Sequence, residues 1–317
     1  MKKNLKINLI WLAFLAAGYI VLSLLIGSGA INPFGVQTIS YIGIQIILAV
    51  GLNFVMGFNG QFSFGTAGFM AIGAYAAAIV GMYSRYYAHF YLAMIVGAIL
   101  AGVVALIVGI PTLRLKGDYL AIATLGVSEI IRILIMNGGE LTNGAAGLSG
   151  VPRFTNWQTV YIFVVLAVVF TMNFINSTAG RETLSIREDE IAAESMGVNT
   201  TKVKVIAFVY GAVLSSIAGS LYAGLIGTVT PKDFTWLQSV NIIIIVVFGG
   251  LGSITGTIIA AIALGFLNVF LQDFGSLRMI IYSLALIMVM IFRPGGLLGT
   301  KEFKLSTLFN KKTKEGR

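Results

Sequence analysis

The sequence predicts an all-α protein, a polytopic bundle of about ten transmembrane helices with its N- and C-termini in the cytoplasm. Hydrophobic residues make up 57% of the chain and charged residues 10%, whereas soluble domains carry about 25% charged residues. Many apolar stretches approach the roughly 20 residues that one span needs. The 38 glycines among 317 residues suit helices whose backbones pack closely in a membrane. We therefore expect one transmembrane domain, residues 1–317, in the cell membrane.

Ten apolar stretches define the predicted spans. They are Leu9–Ile26, Val36–Met56, Ser63–Met82, Tyr91–Ile110, Asp118–Met136, Trp157–Asn176, Val205–Ile226, Leu237–Phe248, Thr255–Leu271 and Leu277–Phe292. The eighth stretch is short and leads into the glycine-rich run Gly249–Gly256. Glycine-interrupted breaks are common in membrane transporters, so the eighth and ninth stretches can also be interpreted as one broken or tightly turned pair.

The distribution of lysine and arginine predicts the orientation. With the N-terminus placed in the cytoplasm, sixteen of the 21 basic residues fall on that side of the ten-span layout, as the positive-inside rule requires. The basic tail 301–317 is then also cytoplasmic. The net charge of +9 is spread over loops and termini rather than one face, which indicates a lipid bilayer as the neighbour and no nucleic acid.

The N-terminus admits one alternative. Lys2, Lys3 and Lys6 precede an apolar run, the arrangement of a cleavable signal peptide. Signal peptides have apolar cores of about 7–15 residues, and this run is about eighteen residues long, a length closer to that of a span. We expect it to remain as the first helix.

A polar segment interrupts the apolar sequence at residues 180–204, where nine of 25 residues are charged. Such a segment cannot lie among lipid tails, so we expect it in the cytoplasm between two spans. Ser185 and Glu188 have the spacing of a capping box, and Gly197 is a natural helix terminator. The sequence therefore predicts a short cytoplasmic helix at about 185–197.

The predicted helix has the features of a protein-docking element. Ala192, Ala193 and Met196 form a small apolar patch, and Glu190 and Glu194 are one turn apart. A helix of about eleven residues is marginal alone in water, so we expect it to dock on another protein. A solvated loop with some helical content is the alternative.

Polar residues inside the spans are candidates for a translocation path. Glu129 and Arg132 are spaced i, i+3 and can pair on one helix face, either as a gating or substrate-path pair or as a structural pair that fixes helix packing. Five neutral polar residues lie at membrane depth or at breaks: Asn53, Gln61, Ser63, Thr66 and Asn241. Each could line an aqueous path or form an interhelical hydrogen bond.

The sequence argues against an enzyme. A P-loop requires Gly-Lys followed by Ser or Thr, and the chain contains no Gly-Lys dipeptide. With a single histidine and no cysteine, it also lacks the usual transition-metal ligand clusters. We expect no catalytic residue, cofactor or metal in this chain, so any ATP hydrolysis belongs to another polypeptide.

The polar segment closely resembles the cytoplasmic signature of branched-chain amino-acid ABC transporter permeases. The most specific match is the run Ile186–Asn199. Further segments match in order: Gly51–Gly57, Gly60–Phe69, Ile72–Tyr75, Leu113–Leu125, Leu141–Leu148, Phe248–Ser253 and Arg293–Leu297. The resemblance covers nearly the whole chain. One departure is Thr66, where relatives often carry histidine, so any role of that imidazole does not transfer.

The resemblance implies a permease subunit of an ATP-driven importer for leucine, isoleucine and valine. Its partners would be a second, paralogous permease subunit, two cytoplasmic ATP-binding subunits and an extracytoplasmic substrate-binding protein. The polar segment would be the coupling helix that seats in a groove of the ATPase. The coupling residues are then Ser185, Arg187, Glu188, Asp189, Glu190, Ala192, Ala193, Glu194, Met196 and Gly197.

Two alternatives remain at this point. Permeases for urea and short-chain amides resemble this family throughout, so the cargo stays open. An ion-coupled secondary transporter is the other alternative, since such carriers use acids at the bilayer midplane. Glu129 is the acid that lies well inside a predicted span, and the polar segment would have no purpose in such a carrier.

Overall fold

The computed structural model describes residues 16–84, 86–115 and 117–274, together with positions 277, 284, 287, 291 and 295–299. Within these residues the helices are α1 (Ala16–Gly27), α2 (Pro33–Asn53), α3 (Thr66–Tyr83), α4 (Tyr87–Thr112), α5 (Asp118–Met136), α6 (Trp157–Ile175), α7 (Thr178–Glu188), α8 (Glu190–Ser195), α9 (Thr200–Ile226), α10 (Trp236–Gly249) and α11 (Ile254–Phe270). Strand β1 (Leu148–Ser149) pairs with β2 (Thr228–Val229).

The described residues contain six helices that are long and apolar enough to cross a membrane: α2 with its extension to Phe58, α3, α4, α5, α6 and α9. A bent pair, α10 and α11, raises the number to seven if it counts as one span. The prediction of ten spans is therefore not confirmed. The predicted tenth stretch, much of the first stretch and the basic tail lie outside the described residues, and the described helix α1 has only twelve residues.

The predicted break between the eighth and ninth stretches is present. Helices α10 and α11 meet at an angle of 120°. The connection uses Gly250 and Gly252, both with positive φ, so the chain reverses direction over four residues. A second irregularity lies at Phe54–Phe58, where α2 ends in a π-helical turn. These two irregular segments lie in contact, and the candidate site is built around them.

Helices α2, α3 and α9 form the centre of the bundle, and α5 and α6 lie towards its outside. Helix α9 packs against α2, α3 and α4. The crossing of α3 and α9 depends on glycine: a Cβ on Gly73 would lie 1.8 Å from the Ser216 carbonyl oxygen, and one on Gly219 would lie 1.9 Å from the Met70 carbonyl oxygen. Small residues of this kind let helix backbones touch in a membrane bundle.

The strand pair lies at the end of α9 that is far from α7 and α8. Leu148 is opposite Val229 and Ser149 is opposite Thr228 in an antiparallel register. Phe234 follows in a short 3-10 turn and is fully buried against Tyr75 and Tyr222. The loops that carry the strands therefore fold back onto the helices.

Candidate functional site

The polar segment forms two helices that meet at Asp189. Helix α7 begins after Ser177, whose Oγ accepts a hydrogen bond from the Gly180 N–H at 3.2 Å. Asp189 has an extended backbone and ends α7. Its Oδ1 accepts hydrogen bonds from the backbone N–H groups of Ile191 at 2.9 Å and Ala192 at 3.0 Å. Asp189 is therefore the N-cap of α8.

The predicted capping box at Ser185 and Glu188 is wrong. Ser185 lies inside α7, where its Oγ donates to the Glu182 carbonyl oxygen at 2.8 Å, a local bond that Ser commonly forms in helices. Glu188 is the last residue of α7 and caps nothing. The single helix expected from Ser185 onward is thus divided, because the carboxylate of Asp189 caps a new helix four residues later.

The predicted end of the helix at Gly197 is confirmed. Gly197 has φ +87°, a conformation that only glycine adopts at little cost. Its N–H donates to the Glu194 carbonyl oxygen at 2.9 Å, and the next N–H, that of Val198, donates to the Ala193 carbonyl oxygen at 3.1 Å. This pair of bonds is a Schellman motif, so α8 ends at a fixed position.

Helix α8 presents one face to the protein and the other to its surroundings. Ala193 is buried with Ile186 and Val203, and Val198 packs against this cluster. The predicted apolar patch is therefore split, since Ala193 faces inward. The exposed face comprises Ile191 at 73%, Ala192, Glu194 and Met196 at 84%. The sequence interpretation omitted Ile191, although its i, i+4 spacing to the polar Ser195 places the two residues on one helix face.

An ion pair holds α8 to α9. Lys204 Nζ lies 2.6 Å from Glu190 Oε1, and Lys204 is buried. Glu190 and Glu194, one turn apart, thus have different roles: Glu190 is turned towards the protein, and Glu194 is exposed. Since a buried lysine needs a partner of opposite charge, this pair fixes the position of α8 on the start of α9.

Arg187 extends from α7 towards the membrane bundle. Its Nη1 donates to the Gly57 carbonyl oxygen, in the π-helical turn, at 2.8 Å. Its Nη2 lies 2.6 Å from Glu188 Oε1, and its Nε donates to the same oxygen at 3.2 Å. The Arg187 side chain is 28% exposed and that of Glu188 is 71% exposed. Arg187 is thus the predicted coupling residue whose hydrogen bond connects the polar segment to the π-helical turn.

Asn53 is fully buried, and its amide bonds to the connection between α10 and α11. The Nδ2 group donates to Thr257 Oγ1 at 2.6 Å and to the Ser253 carbonyl oxygen at 3.0 Å. The Oδ1 atom accepts a hydrogen bond from the Gly252 N–H at 2.9 Å. Of the two interpretations of Asn53, these contacts favour an interhelical hydrogen bond over the lining of a path.

Ser63 and Thr66 lie together at the start of α3. Both line a small pocket of about 10 Å³ with Ser215 of α9, about the space that one water molecule needs. Gln61 is buried, and neither polar atom of its side chain has a hydrogen-bond partner among the described residues. Asn241 is separate from this group and exposed on α10.

Two hydroxyl groups that the sequence did not single out hold the segment before α3. Thr124 Oγ1 accepts a hydrogen bond from the Phe64 N–H at 3.0 Å. Ser239 Oγ donates to the Phe64 carbonyl oxygen at 2.7 Å and accepts from the Ala67 N–H at 3.0 Å. Because all three partners are backbone groups far away in sequence, no spacing could have indicated these contacts.

Glu129 and Arg132 form the predicted ion pair. Arg132 Nη2 lies 2.8 Å from Glu129 Oε2, and Nε donates to the same oxygen at 2.8 Å. Glu129 Oε1 accepts a longer bond from the Trp236 N–H at 3.4 Å, at the start of α10. The two side chains are 23% and 22% exposed. Charged groups exposed within a span face protein or water rather than lipid, so this edge of α5 and α10 is a candidate for the path.

The sequence pattern of one protein family matches residues 35–292, and that family is described as a branched-chain amino acid transport system permease component. The chain is 34% identical to the high-affinity branched-chain amino acid transport system permease protein LivM of Escherichia coli (strain K12) over 250 residues, 68% of this chain and 59% of LivM. It is 36% identical to LivM of Salmonella typhimurium, with the same coverage.

More distant relatives are also transport permeases. The LivH permease protein of Escherichia coli is 28% identical over 183 residues, 56% of this chain and 58% of LivH. The ribose import permease protein RbsC of Haemophilus influenzae is 27% identical over 67% of this chain and 69% of its own length. The chain spans about three fifths of the length of the two LivM relatives. No solved structure matches the chain.

Proposed function

This chain belongs to the branched-chain amino-acid transport permease family, and we propose that it is the membrane-spanning subunit of an ATP-driven importer for leucine, isoleucine and valine. The family match over residues 35–292 carries the proposal. It is supported by the relatives of 34% and 36% identity, which are named as permeases of high-affinity branched-chain amino-acid systems. As a multi-pass membrane protein, the chain would form part of the translocation path.

The motion of the ATP-binding subunits, driven by ATP, would be passed to this chain at α8. Its exposed face combines two large apolar side chains, Ile191 and Met196, with the carboxylate of Glu194. Apolar side chains on a charged, water-facing segment suit a helix that docks in a groove of a partner. The Glu190–Lys204 pair and the cap at Asp189 hold α8 rigidly. A separate ATP-binding subunit that closes on α8 would therefore move the polar segment as a unit.

The assembly would contain two permease chains, two ATP-binding subunits and an extracytoplasmic binding protein. The similarity of this chain to both LivM and LivH supports a pair of paralogous permeases. The positive-inside bias of the sequence supports a cytoplasmic position for α7 and α8. Substrate would then arrive at the opposite end of the bundle, where β1 and β2 lie.

The translocation path would run along the polar edges of the bundle. Glu129 and Arg132 are partly exposed at the edge of α5 and α10, and Asn241 is exposed on α10. Gln61, Ser63 and Thr66 lie at the start of α3. We assign the path to Glu129, Arg132 and Asn241. Asn53 is a structural contact in this proposal, because its amide is already hydrogen-bonded to the α10–α11 connection.

The test is uptake by proteoliposomes that contain the complex co-purified through a tag on this chain, supplied with its binding protein. We expect radiolabelled leucine to accumulate when ATP is present and not when only a proton gradient is imposed. Urea and ribose are the alternative cargoes to test in parallel. One relative is named as a ribose import permease, and the sequence leaves urea as an alternative to branched-chain amino acids. Uptake of urea or ribose but not leucine would overturn the cargo. Gradient-driven uptake without ATP would overturn the class.

A further inference from the structure

Arg187 occupies the position where the polar segment meets the membrane bundle. It lies two residues before Asp189, the cap that joins α7 to α8. Its Nη1 donates to the carbonyl oxygen of Gly57 across 130 residues of sequence. Glu188 binds the other side of the guanidinium group, which fixes the direction in which Nη1 points.

The acceptor belongs to a turn that has no room to adjust. Gly57 lies in the π-helical turn at the end of α2, and π turns inside α-helices are frequent at functional sites. A Cβ on Gly57 would lie 1.9 Å from Asn53 Oδ1 and 2.3 Å from the Gly252 nitrogen. A Cβ on Gly252 would lie 2.7 Å from Arg187 Nη1. The guanidinium group and both backbones are thus in direct contact.

Asn53 completes the connection. Its amide bonds to Gly252 and Ser253 in the break between α10 and α11, and to Thr257 in the first turn of α11. Arg187 is therefore hydrogen-bonded to Gly57, Gly57 is packed against Asn53 and Gly252, and Asn53 is hydrogen-bonded to Gly252 and to Thr257 at the start of α11.

The other described contact of α8 leads elsewhere. Lys204 binds Glu190 at the start of α9, and the Ala193 cluster also ends on α9, at Val203. These contacts keep α8 on α9 but do not reach the break between α10 and α11. Arg187 does reach that region: it is hydrogen-bonded to Gly57 and lies against Gly252.

We propose that Arg187 is the positioning residue that transmits a displacement of α8 to the α10–α11 break. This proposal rests on the proposed function, in which an ATP-binding subunit moves α8. A charge-assisted hydrogen bond to a backbone carbonyl is short and directional, so it carries motion in a way that a solvated side chain does not. Helices α10 and α11 meet at 120°, so a small shift at Gly252 changes the angle between them.

The first test measures leucine uptake per ATP hydrolysed by the complete reconstituted complex. In Arg187→Gln we expect the ATP-binding subunits to stay bound and hydrolyse ATP, while uptake per ATP falls about tenfold, because a charged donor is lost. Arg187→Lys keeps the charge without the planar fork and should fall about threefold. Arg181→Gln removes an exposed arginine from the same helix and should stay within about twofold of the parent.

The second test follows the movement itself, because a loss of uptake alone could reflect a damaged bundle. The chain has no cysteine, so spin labels can be placed at Ser195 of α8 or at Leu251 of the break, each paired with a label at Asn137 at the end of α5. All three positions are exposed. Trapping the ATP-bound state should change both distances in the parent and in Arg181→Gln. In Arg187→Gln the Ser195 distance should still change, and the Leu251 distance should not.

The outcomes separate the two proposals. A Leu251 distance that changes equally in Arg187→Gln and in the parent would overturn the role of Arg187 and leave the proposed function intact. A parent complex without ATP-driven uptake would overturn both. If Arg187→Gln does not assemble, Arg187→Lys decides: uptake per ATP within about twofold of the parent contradicts the proposal, and a larger loss with a static Leu251 label supports it.

Discussion

Asp189 ends one polar helix and caps the next, and its carboxylate has the N-cap role that the sequence pattern assigned to Ser185. Serine and aspartate are about equally good N-caps, so the spacing of Ser185 and Glu188 marks only a candidate. Asp189 is the N-cap because the chain is extended at that residue and its Oδ1 accepts hydrogen bonds from two N–H groups in the first turn of α8.

Substitution of the two candidate caps separates these alternatives. In Asp189→Ala we expect α8 to lose about 1 kcal/mol of local stability, the usual value of a cap, which speeds hydrogen exchange of the amides at 190–197 about fivefold. Ser185→Ala is the matched control and should leave α8 unchanged. Acceleration in Ser185→Ala that equals or exceeds that in Asp189→Ala would contradict the assignment of the cap to Asp189.

Contacts within one helix were predictable, and contacts between distant segments were not. The pairing of Glu129 with Arg132 follows from their i, i+3 spacing and is present at 2.8 Å. The bond from Arg187 to Gly57 spans 130 residues. Its acceptor is a backbone carbonyl, a group that every residue carries, so no sequence pattern identifies it.

Helix ends were predicted best where the sequence changes abruptly. Helix α5 runs from Asp118 to Met136, as predicted, because Gly117 precedes it and Asn137 and two glycines follow. Helix α9 instead begins at Thr200, five residues before the predicted start. Asn199 Oδ1 accepts a hydrogen bond from the Lys202 N–H at 2.9 Å, so the helix extends into charged residues that hydropathy alone excludes.

The crossing of α3 and α9 yields an element-scale prediction. In Gly219→Ala the added Cβ would lie 1.9 Å from the Met70 carbonyl oxygen, so the two helices have to separate. Such overpacking costs typically about 1–3 kcal/mol, and we expect a lower melting temperature and a lower yield of monodisperse protein. The measurement is fluorescence-detected gel filtration after heating.

The matched control is Gly126→Ala on α5, where no atom lies within 4 Å of the new Cβ. Alanine is the better helix former by up to about 1 kcal/mol, so this variant should be as stable as the parent or more stable. A Gly219→Ala protein that melts with the parent would contradict the close approach of α3 and α9.

The whole molecule combines an apolar helix bundle with a charged segment at one end and a strand pair at the other. The membrane character and the position of the charged segment were predictable, because both follow from composition along the chain. The number of spans was not confirmed: the described residues contain six spanning helices, or seven if the bent pair α10 and α11 counts as one span, and the predicted tenth stretch and much of the first lie outside the described residues. Hydropathy locates apolar stretches but does not show whether each one crosses the membrane; the glycine-rich run between α10 and α11 was the signal for the bent pair.

The orientation of the bundle can be tested with single cysteines, since the 317-residue sequence has none. Ser195→Cys on α8 should react with a membrane-impermeant maleimide only after the cytoplasmic side is exposed. Asn137 is exposed at the C-terminal end of α5, which the predicted orientation places outside the cell. Asn137→Cys should therefore react in intact cells. Labelling of Ser195→Cys in intact cells would reverse the orientation that the positive-inside rule predicts.

The most direct test of the account is ATP-driven leucine uptake by the reconstituted complex with Met196→Glu, compared with Glu182→Lys. Met196 is 84% exposed on α8, whereas Glu182 is exposed on α7 and lies outside the proposed docking face. We expect Met196→Glu to lower uptake about tenfold or more and release the ATP-binding subunits, since a buried charge without a partner is costly at an interface. Glu182→Lys should retain both within about twofold. Full uptake in Met196→Glu, with the ATP-binding subunits still bound, would contradict the entry of energy at α8.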